Sequence, residues 1–359
     1  MVLAILGTSL AVHSPKVQGW AAEKAIGMIR DKIDGNISFS SLEIQGLNSF
    51  VATDVLVRDS LNAPLDTLLY MGRVSGTFSG KSLFGKGGIR LGRIDADRVE
   101  SVIILNETEE YGNSFSRFLQ SHSTDTAKGD GSFGLYIGRI DVRNARFRMI
   151  NRDTTGRKPG AGSINWKDMD ARASVIRGHS FRIRNGLVSA VADEVRISEK
   201  CGYSIDVLGA KVRVGYGKAE IRDIHAVDAW SDVHAPLYSM TGTSHEYAEY
   251  TSNILMKLEL ARSTLSSRTI SAFSKGVLNG NDFLLDVASA DAHGRVNDLH
   301  VDRIRFKDLN GGVQGDIAGS ITGVLKTSNP AIDARIASLQ FSTVEAERFL
   351  RRLLPGKTP

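Results

Sequence analysis

Histidines and carboxylates are the residues in this chain whose spacing comes nearest to metal or acid–base chemistry. His225 and His234 lie in a segment with Asp223, Asp228 and Asp232, so imidazole and carboxylate groups occur close together in the sequence. A metal site needs ligands that converge in space, and this spacing implies no convergence by itself. We therefore interpret these five residues as surface loop residues and expect no metal site.

Three other motifs lack residues that a catalytic site would require. Gly80-Lys81-Ser82 lacks the glycine that a phosphate-binding loop carries five positions earlier, where Ser75 stands. His245-Glu246 has no second histidine at metalloprotease spacing. Asp95 and Asp97 lie in a strand-like segment, where proximity in sequence alone does not make an acid–base pair. We expect a non-enzymatic protein with no catalytic residues and no cofactors.

The composition indicates a folded, β-rich chain. Apolar residues make up 42% of the 359 positions and charged residues 24%, a balance that fits neither disorder nor a multi-span membrane protein. The 36 glycines and 7 prolines are typical of turns and bulges between strands. The 45 basic residues are interspersed with 40 acidic ones, so we expect no nucleic-acid binding. The single cysteine, Cys201, excludes an internal disulfide.

The N-terminal 35 residues predict the membrane-proximal end of the protein. Residues 1–14 contain an apolar stub that is shorter than the ~20 residues needed to span a bilayer, and we interpret it as a truncated membrane anchor or signal stub. Residues 15–35 have the apolar spacing of an amphipathic helix, with Pro15 in its first turn and Gly35 as its C-terminal cap. We expect this helix to cap a sheet.

Residues 36–340 alternate apolar and polar side chains with a period of two, which predicts strands with one apolar and one wet face. The clearest internal repeat pairs Leu91-Gly92-Arg93-Ile94-Asp95 with Ile137-Gly138-Arg139-Ile140-Asp141, at an offset of 46 residues (137 minus 91). Repeated segments of this kind favour a continuous, stacked β region.

Less regular segments interrupt and end this region. Polar, glycine-rich loops are predicted near 121–132 and 151–162. The alternation blurs from Lys218 to Trp230. Residues 341–359 predict a short C-terminal helix and a tail.

The order of features from Pro15 to Leu119 resembles the N-terminal part of the TamB family (translocation and assembly module), among the AsmA-like bridge proteins. The residues that carry the resemblance are Pro15-Lys16-Val17-Gln18, the strand pair around Ile37 to Ile44, Asp54 to Asp59, Asp66-Thr67-Leu68-Leu69, the Leu83-Phe84 turn, Gly92-Arg93-Ile94-Asp95 and Asn113 to Leu119. The resemblance implies an inner-membrane anchor followed by an elongated, curved antiparallel β groove in the periplasm of a Gram-negative envelope. It also implies phospholipid transfer or outer-membrane protein translocation and assembly. The implied partners are phospholipid acyl chains, the inner membrane and an outer-membrane assembly barrel of the TamA/BamA type.

A groove for acyl chains needs a continuous dry surface, which alternating strands provide when their apolar faces line one concave side. The candidate lining residues are the apolar members of the alternating segments: Ile37, Phe39, Val55, Val57, Val74, Phe78, Ile94, Ile140, Phe147, Met149, Phe181, Ile183, Val212, Val214, Ile304 and Phe306. The same residues would equally serve as the closed core of a β sandwich, in a secreted or periplasmic binding or adhesion module. The family resemblance favours the groove.

Overall fold

The structure, a computed structural model, describes most of the chain from residue 35 to residue 341. The described residues are 35–45, 48–59, 67–78, 89–105, 134–151, 162–166, 168–184, 186–215, 217–242, 253–273, 282–323, 331–341, 344 and 347. They form β1 (Gly35–Ser38), β2 (Ser41–Gln45), β3 (Ser49–Asp59), β4 (Thr67–Phe78), β5 (Ile89–Leu105), β6 (Gly134–Asn151), β7 (Asp168–Arg184), β8 (Leu187–Glu199), β9 (Ser204–Gly215), β10 (Lys218–Asp228), β11 (Asp232–Thr241), β12 (Leu255–Leu260), β13 (Ser263–Ser266), α1 (Ser267–Phe273), β14 (Leu284–Arg295), β15 (Asp298–Asp308), β16 (Gln314–Thr322) and β17 (Ala331–Gln340).

This inventory confirms the prediction of a mainly β protein. The predicted N-terminal stub and helix (up to residue 34) and the two predicted loops, apart from Asn151 and Gly162, lie outside the described residues. The predicted C-terminal helix also lies outside them, except for Val344 and Glu347, which are helical. Within the part of the chain that is described, no helix is both long enough and apolar enough to span a membrane.

The chain divides into two compact units. Unit 1 comprises Met1–Arg152 and Asp170–Glu194, and unit 2 comprises Asp153–Met169 and Val195–Pro359.

In unit 1, β1 and β2 pair with opposite halves of β3, and β3, β4 and β5 pair antiparallel in sequence order. The next pair, β5 and β6, is parallel, so the prediction of an antiparallel sheet is wrong at this position. Parallel neighbours need a crossover of about a dozen residues or more, and the 28 residues from 106 to 133 provide it.

The parallel pair places the two copies of the sequence repeat side by side. Leu91 pairs with Ile137, and the same offset of 46 residues (137 minus 91) holds along the whole of both strands. The glycine of each copy, Gly92 or Gly138, lies at a close approach of the two backbones. A Cβ atom on Gly138 would lie 2.5 Å from the carbonyl oxygen of Gly92. This approach explains the glycine at position 138, whereas a Cβ atom on Gly92 would lie 2.7 Å from the Thr77 hydroxyl oxygen.

The apolar alternation of unit 1 shifts by one position within each of its central strands. In β3, the apolar positions are Phe50 and Ala52 before Asp54, and Val55 and Val57 after it. Because Asp54 has a positive φ of 50°, the strand turns at this residue and returns its next apolar side chain to the same face.

This shift is aligned across four strands. The pairing of β3 to β6 places Asp54, Gly72, Arg98 and Asn144 opposite one another, and Arg98 and Asn144 also have positive φ, 54° and 53°. A Cβ atom on Gly72 would lie 2.8 Å from the guanidinium of Arg98, so glycine makes room for that side chain. The common shift keeps one face of the sheet apolar along its whole length.

In unit 2, β9, β10 and β11 pair antiparallel, and β14 to β17 continue the same order. Together β12 and β13 form one interrupted strand between β11 and β14. The segment whose alternation blurs in the sequence contains the regular strand β10. Asp223 has a positive φ of 51° and shifts the apolar phase there, which is why a period of two fails to detect this strand.

The helix α1 packs on the segment that precedes β7. The backbone N–H of Ile164 donates a hydrogen bond of 2.8 Å to the carbonyl oxygen of Ala272, and these two residues form a buried cluster with Tyr203. The Tyr203 ring also meets the Phe273 ring edge-on, with centroids 5.1 Å apart. These contacts build a small core in unit 2.

Three buried carboxylates close the turns that follow β8, β10 and β15. Glu199, Asp228 and Asp308 each accept a hydrogen bond from the backbone N–H two residues further along, at 2.6, 2.7 and 3.1 Å respectively. A buried turn amide must have a partner, and these side chains supply one at the end of each strand.

Candidate functional site

The apolar face of unit 1 is built from rows of side chains that cross β3 to β6. Residues paired on neighbouring strands share a face, so the pairing defines the rows directly. We define the unit 1 apolar face by the rows Phe50–Gly76–Ile94–Ile140, Ala52–Val74–Ala96–Val142, Val55–Met71–Val99–Ala145 and Val57–Leu69–Ser101–Phe147.

Burial on this face is greatest in its two central rows. The small and medium residues Ala52, Val55, Val74 and Ala96 are buried and form one cluster. The bulky residues of the outer rows, such as Phe147, are only half-buried. The outer rows therefore keep large apolar surfaces within reach of a ligand.

Eleven of the sixteen predicted lining residues are buried or half-buried in unit 1. Val55 and Val74 are buried, whereas the residues that are half-buried are Phe39, Val57, Phe78, Ile94, Ile140, Phe147, Met149, Phe181 and Ile183. Ile37 pairs with Val57 through its backbone, and its side chain lies outside the described residues. The pairing and the buried cluster bring most of these residues onto one face, while Phe181 and Ile183 belong to β7.

The remaining four predicted residues, Val212, Val214, Ile304 and Phe306, are half-buried in unit 2. Val212 and Val214 belong to rows that cross eight strands, and Ile304 and Phe306 belong to rows that cross four. We define the unit 2 apolar face by the rows Val214–Ala219–Met240–Met256–Gly294–Leu299–Ile321–Ile332 and Val212–Ile221–Tyr238–Leu258–Ala292–Val301–Gly319–Ala334, with Ala290–Ile304–Ile317–Ile336 and Val287–Phe306–Gly315–Leu339 alongside.

Sequence reasoning missed the centre of the unit 2 apolar face. Ile221, Tyr238 and Leu258 connect the predicted residues of β9 to those of β15, but none of the three was predicted to line a groove. The signal that would reveal them is an alternation that is allowed to shift by one position at a polar residue such as Asp223. At the far end, Ile332 and Ile336 in β17 are 68% and 56% exposed.

The opposite, polar face of unit 1 is held by ion pairs. Arg146 donates two hydrogen bonds to Asp170, at 2.8 and 2.5 Å, and this pairing holds the pKa of the Asp170 carboxyl below its usual range. Asp95 pairs with Arg93, and Asp97 accepts a hydrogen bond from Asn144 at 2.7 Å. Asp95 and Asp97 therefore have separate structural partners.

The histidine–aspartate segment is located differently from our prediction. Asp223, His225 and Asp228 lie in β10, and Asp232 and His234 lie in β11. The interpretation as loop residues is therefore wrong for all five. The antiparallel pairing of these strands puts His225 directly opposite His234. Of the other two carboxylates, Asp223 pairs with Lys211 at 2.7 Å, and Asp228 is buried in its turn. The predicted motifs at Gly80-Lys81-Ser82 and His245-Glu246 lie outside the described residues.

The two apolar faces and the histidine–aspartate group are the candidate binding features that we take from the described residues. No protein-family model matches the chain, and no curated protein matches it.

Proposed function

We propose that the protein is a non-enzymatic envelope protein whose apolar sheet faces bind the acyl chains of phospholipids. The observation that carries this proposal is the continuity of the apolar faces. Each row of unit 1 passes through four paired strands, and two rows of unit 2 pass through eight. A surface that is dry along its whole length is what a flexible hydrocarbon chain requires.

The partial exposure of bulky residues favours an open face over a closed core. In a β sandwich, the large inward side chains interdigitate with a second sheet and become fully buried. In this protein, Phe147, Met149, Tyr238 and Phe306 all remain half-buried. Each such residue leaves apolar area that a bound acyl chain would remove from water, at about 25 cal/mol per Å².

The size of the faces also suits a phospholipid. Neighbouring strands are spaced by about 4.8 Å, so the eight strands of the unit 2 apolar face cover roughly 34 Å. One leaflet contributes half of the ~30 Å hydrocarbon core of a bilayer, which gives an acyl chain a length of about 15 Å. The face is therefore long enough for an acyl chain to lie flat and to move from one row to the next.

The resemblance of residues 15–119 to the TamB family supports the cellular setting. On that basis, the role we propose is phospholipid transfer or outer-membrane protein assembly in the periplasm, with attachment to the inner membrane through the N-terminus. An open face binds an acyl chain on one side only and leaves its other side uncovered. This suits a transfer protein, because the bound lipid must also dissociate.

The proposal is tested by measuring the transfer of a fluorescent phospholipid between donor and acceptor vesicles in the presence of the purified chain. Ile140→Asn places an amide on the unit 1 apolar face, where it would be desolvated by bound lipid, and is expected to slow transfer several-fold. The matched control is Arg139→Asn, since Arg139 precedes Ile140 in the same strand and is exposed.

Circular dichroism first establishes that both variants are folded. Slower transfer for Ile140→Asn and an unchanged rate for Arg139→Asn would support the proposal. If the chain accelerates transfer no more than an unrelated protein does, or if both variants transfer lipid at the parental rate, then this face does not bind phospholipid.

A further inference from the structure

Two histidines and one carboxylate converge on a single point of unit 2, outside the apolar faces. The Nε2 atoms of His225 and His234 lie 3.1 and 3.3 Å from the Oδ1 atom of Asp232. One ligand atom from each of the three residues lies within 4.8 Å of the other two. We propose that His225, Asp232 and His234 bind a divalent transition-metal ion, for which Zn²⁺ is the best match.

The distances fit the coordination geometry of zinc. Zinc binds imidazole nitrogen and carboxylate oxygen at about 2.0–2.2 Å, and two ligand atoms of such a tetrahedron are about 3.3–3.6 Å apart. The two nitrogen–oxygen distances reach this range with shifts of a few tenths of an ångström. Both rings present Nε2 to Asp232, but the rings are stacked, with centroids 4.3 Å apart and planes at 9°. Binding of one ion by both nitrogens therefore requires the exposed rings to rotate until their Nε2 lone pairs converge.

The backbone around the ligands fixes their positions. The N–H of His234 donates to the Ser263 hydroxyl at 2.9 Å, and the carbonyl oxygen of His234 accepts a hydrogen bond from the N–H of Ala261 at 2.9 Å. On its other side, His225 is paired with Gly209, so no side chain crowds the imidazole from β9. A site on paired strands keeps its ligands in place better than a site on a loop.

The site is open to solvent on one side. The side chains of His225, Asp232 and His234 are 44%, 53% and 47% exposed, so an ion can enter and a water molecule can complete the tetrahedron. Three protein ligands and one open position are typical of zinc sites that bind an exogenous molecule. A depression of about 300 Å³ adjoins Asp232 and His234. It is also lined by Arg262, whose guanidinium forms an ion pair with Asp286 at 3.1 Å.

A second pair of histidines in the same unit provides a matched control. His293 and His300 also face each other across two antiparallel strands, with ring centroids 5.4 Å apart. Their nitrogens contact different carboxylates, His293 with Asp302 at 2.9 Å and His300 with Asp298 at 3.5 Å. Like His225 and His234, these two histidines lie opposite each other on paired antiparallel strands. Unlike them, they do not contact one common carboxylate.

Isothermal titration calorimetry of the full chain with ZnCl₂, after removal of metal with a chelator, tests the proposal. We expect one Zn²⁺ per chain and an affinity that falls at least about tenfold for His234→Ala and for Asp232→Asn, as when a supporting group of a metal site is lost. His293→Ala is expected to keep the parental affinity. Titration with Co²⁺ is expected to give the intense visible bands of a tetrahedral site in the parent and to lose them in Asp232→Asn.

Several results would overturn the proposal. One is the absence of saturable 1:1 Zn²⁺ binding by the full chain. Another is a parental affinity in His234→Ala, and a third is an equal loss of affinity in His293→Ala. Because Asp232→Asn keeps the size of the side chain, its circular dichroism spectrum is expected to match the parent, so that a loss of binding there reports the ligand and not the fold.

Discussion

Removal of the Asp228 carboxylate is predicted to destabilise unit 2 strongly. Asp228 is buried at the end of β10 and accepts four hydrogen bonds, each of 2.7 Å, from the N–H groups of Trp230 and Ser231 and from the hydroxyls of Tyr203 and Thr269. Burial raises the pKa of the Tyr203 phenol, which favours the protonated form that donates to Asp228.

The expected magnitude follows from the donors that would be orphaned. Each buried donor without a partner costs about 1–3 kcal/mol. The Thr269 hydroxyl has a second partner, Ser231 Oγ at 2.7 Å, so three donors bear most of the cost of Asp228→Ala. We expect a loss of about 3–5 kcal/mol, which for a unit of this size lowers the melting temperature by roughly 10 °C. Asp228→Asn keeps one acceptor oxygen for the two amides, and we expect it to lose about 1–2 kcal/mol.

Denaturation followed by tryptophan fluorescence measures both variants. In a Trp20→Phe background, the two remaining tryptophans, Trp166 and Trp230, both belong to unit 2. The matched control is Asp282→Ala, an exposed carboxylate that lies 4.0 Å from Arg268 and is expected to change stability by less than about 0.5 kcal/mol. A loss below about 1 kcal/mol for Asp228→Ala, or one no larger than that of the control, would refute this reasoning.

Three further predictions concern the repeat, an ion pair and the metal site. Gly138→Ala is expected to destabilise unit 1 by about 2–3 kcal/mol in urea denaturation, because its Cβ would meet a backbone oxygen. Gly92→Ala should cost less, because the obstacle there is the Thr77 side chain. The pKa of Asp170 is lowered in the folded state, so its contribution is complete above the unfolded pKa of about 3.9 and is lost as the pH falls through the folded value. Asp170→Asn is therefore expected to reduce the stability of unit 1 near neutral pH and to flatten its decline in acid. Saturating Zn²⁺ is expected to raise the melting temperature of unit 2, with about 2.7 kcal/mol of stabilisation at a hundredfold excess over Kd, and a smaller rise is expected for His234→Ala at the same Zn²⁺ concentration.

The alternation of the sequence predicted the strand class because it reflects burial directly. The alternation did not predict a strand at Lys218 to Trp230. The positive φ of Asp223 shifts the apolar positions by one residue there, so β10 does not follow a period of two. The same kind of shift occurs at Asp54, but the apolar residues on either side of it still alternate clearly enough to predict a strand. A period of two describes strands without bulges, and the strands of this protein are bent at aligned positions.

The sequence repeat predicted two strands of similar sequence, but it did not predict whether they pair parallel or antiparallel. Nothing in Leu91 to Asp95 or Ile137 to Asp141 distinguishes a parallel pair from two antiparallel strands, because the direction is decided by the crossover. The sequence also did not predict that His225 and His234 lie opposite each other, because this depends on the register of the β10–β11 hairpin. The turn of this hairpin begins at Asp228, is centred between the two histidines and fixes the register. Knowledge of the turn would have predicted the pair.

Photo-crosslinking of lipid on β6 tests the central claim most directly. A photoreactive amino acid replaces Phe147, on the unit 1 apolar face, or Arg143, an exposed residue four positions earlier in the same strand. The full chain is irradiated in the presence of phospholipid vesicles, and adducts are identified by intact-protein mass spectrometry. A phospholipid adduct is expected at position 147, with little or none at position 143. Equal adducts at both positions, or no adduct at position 147, would contradict that claim.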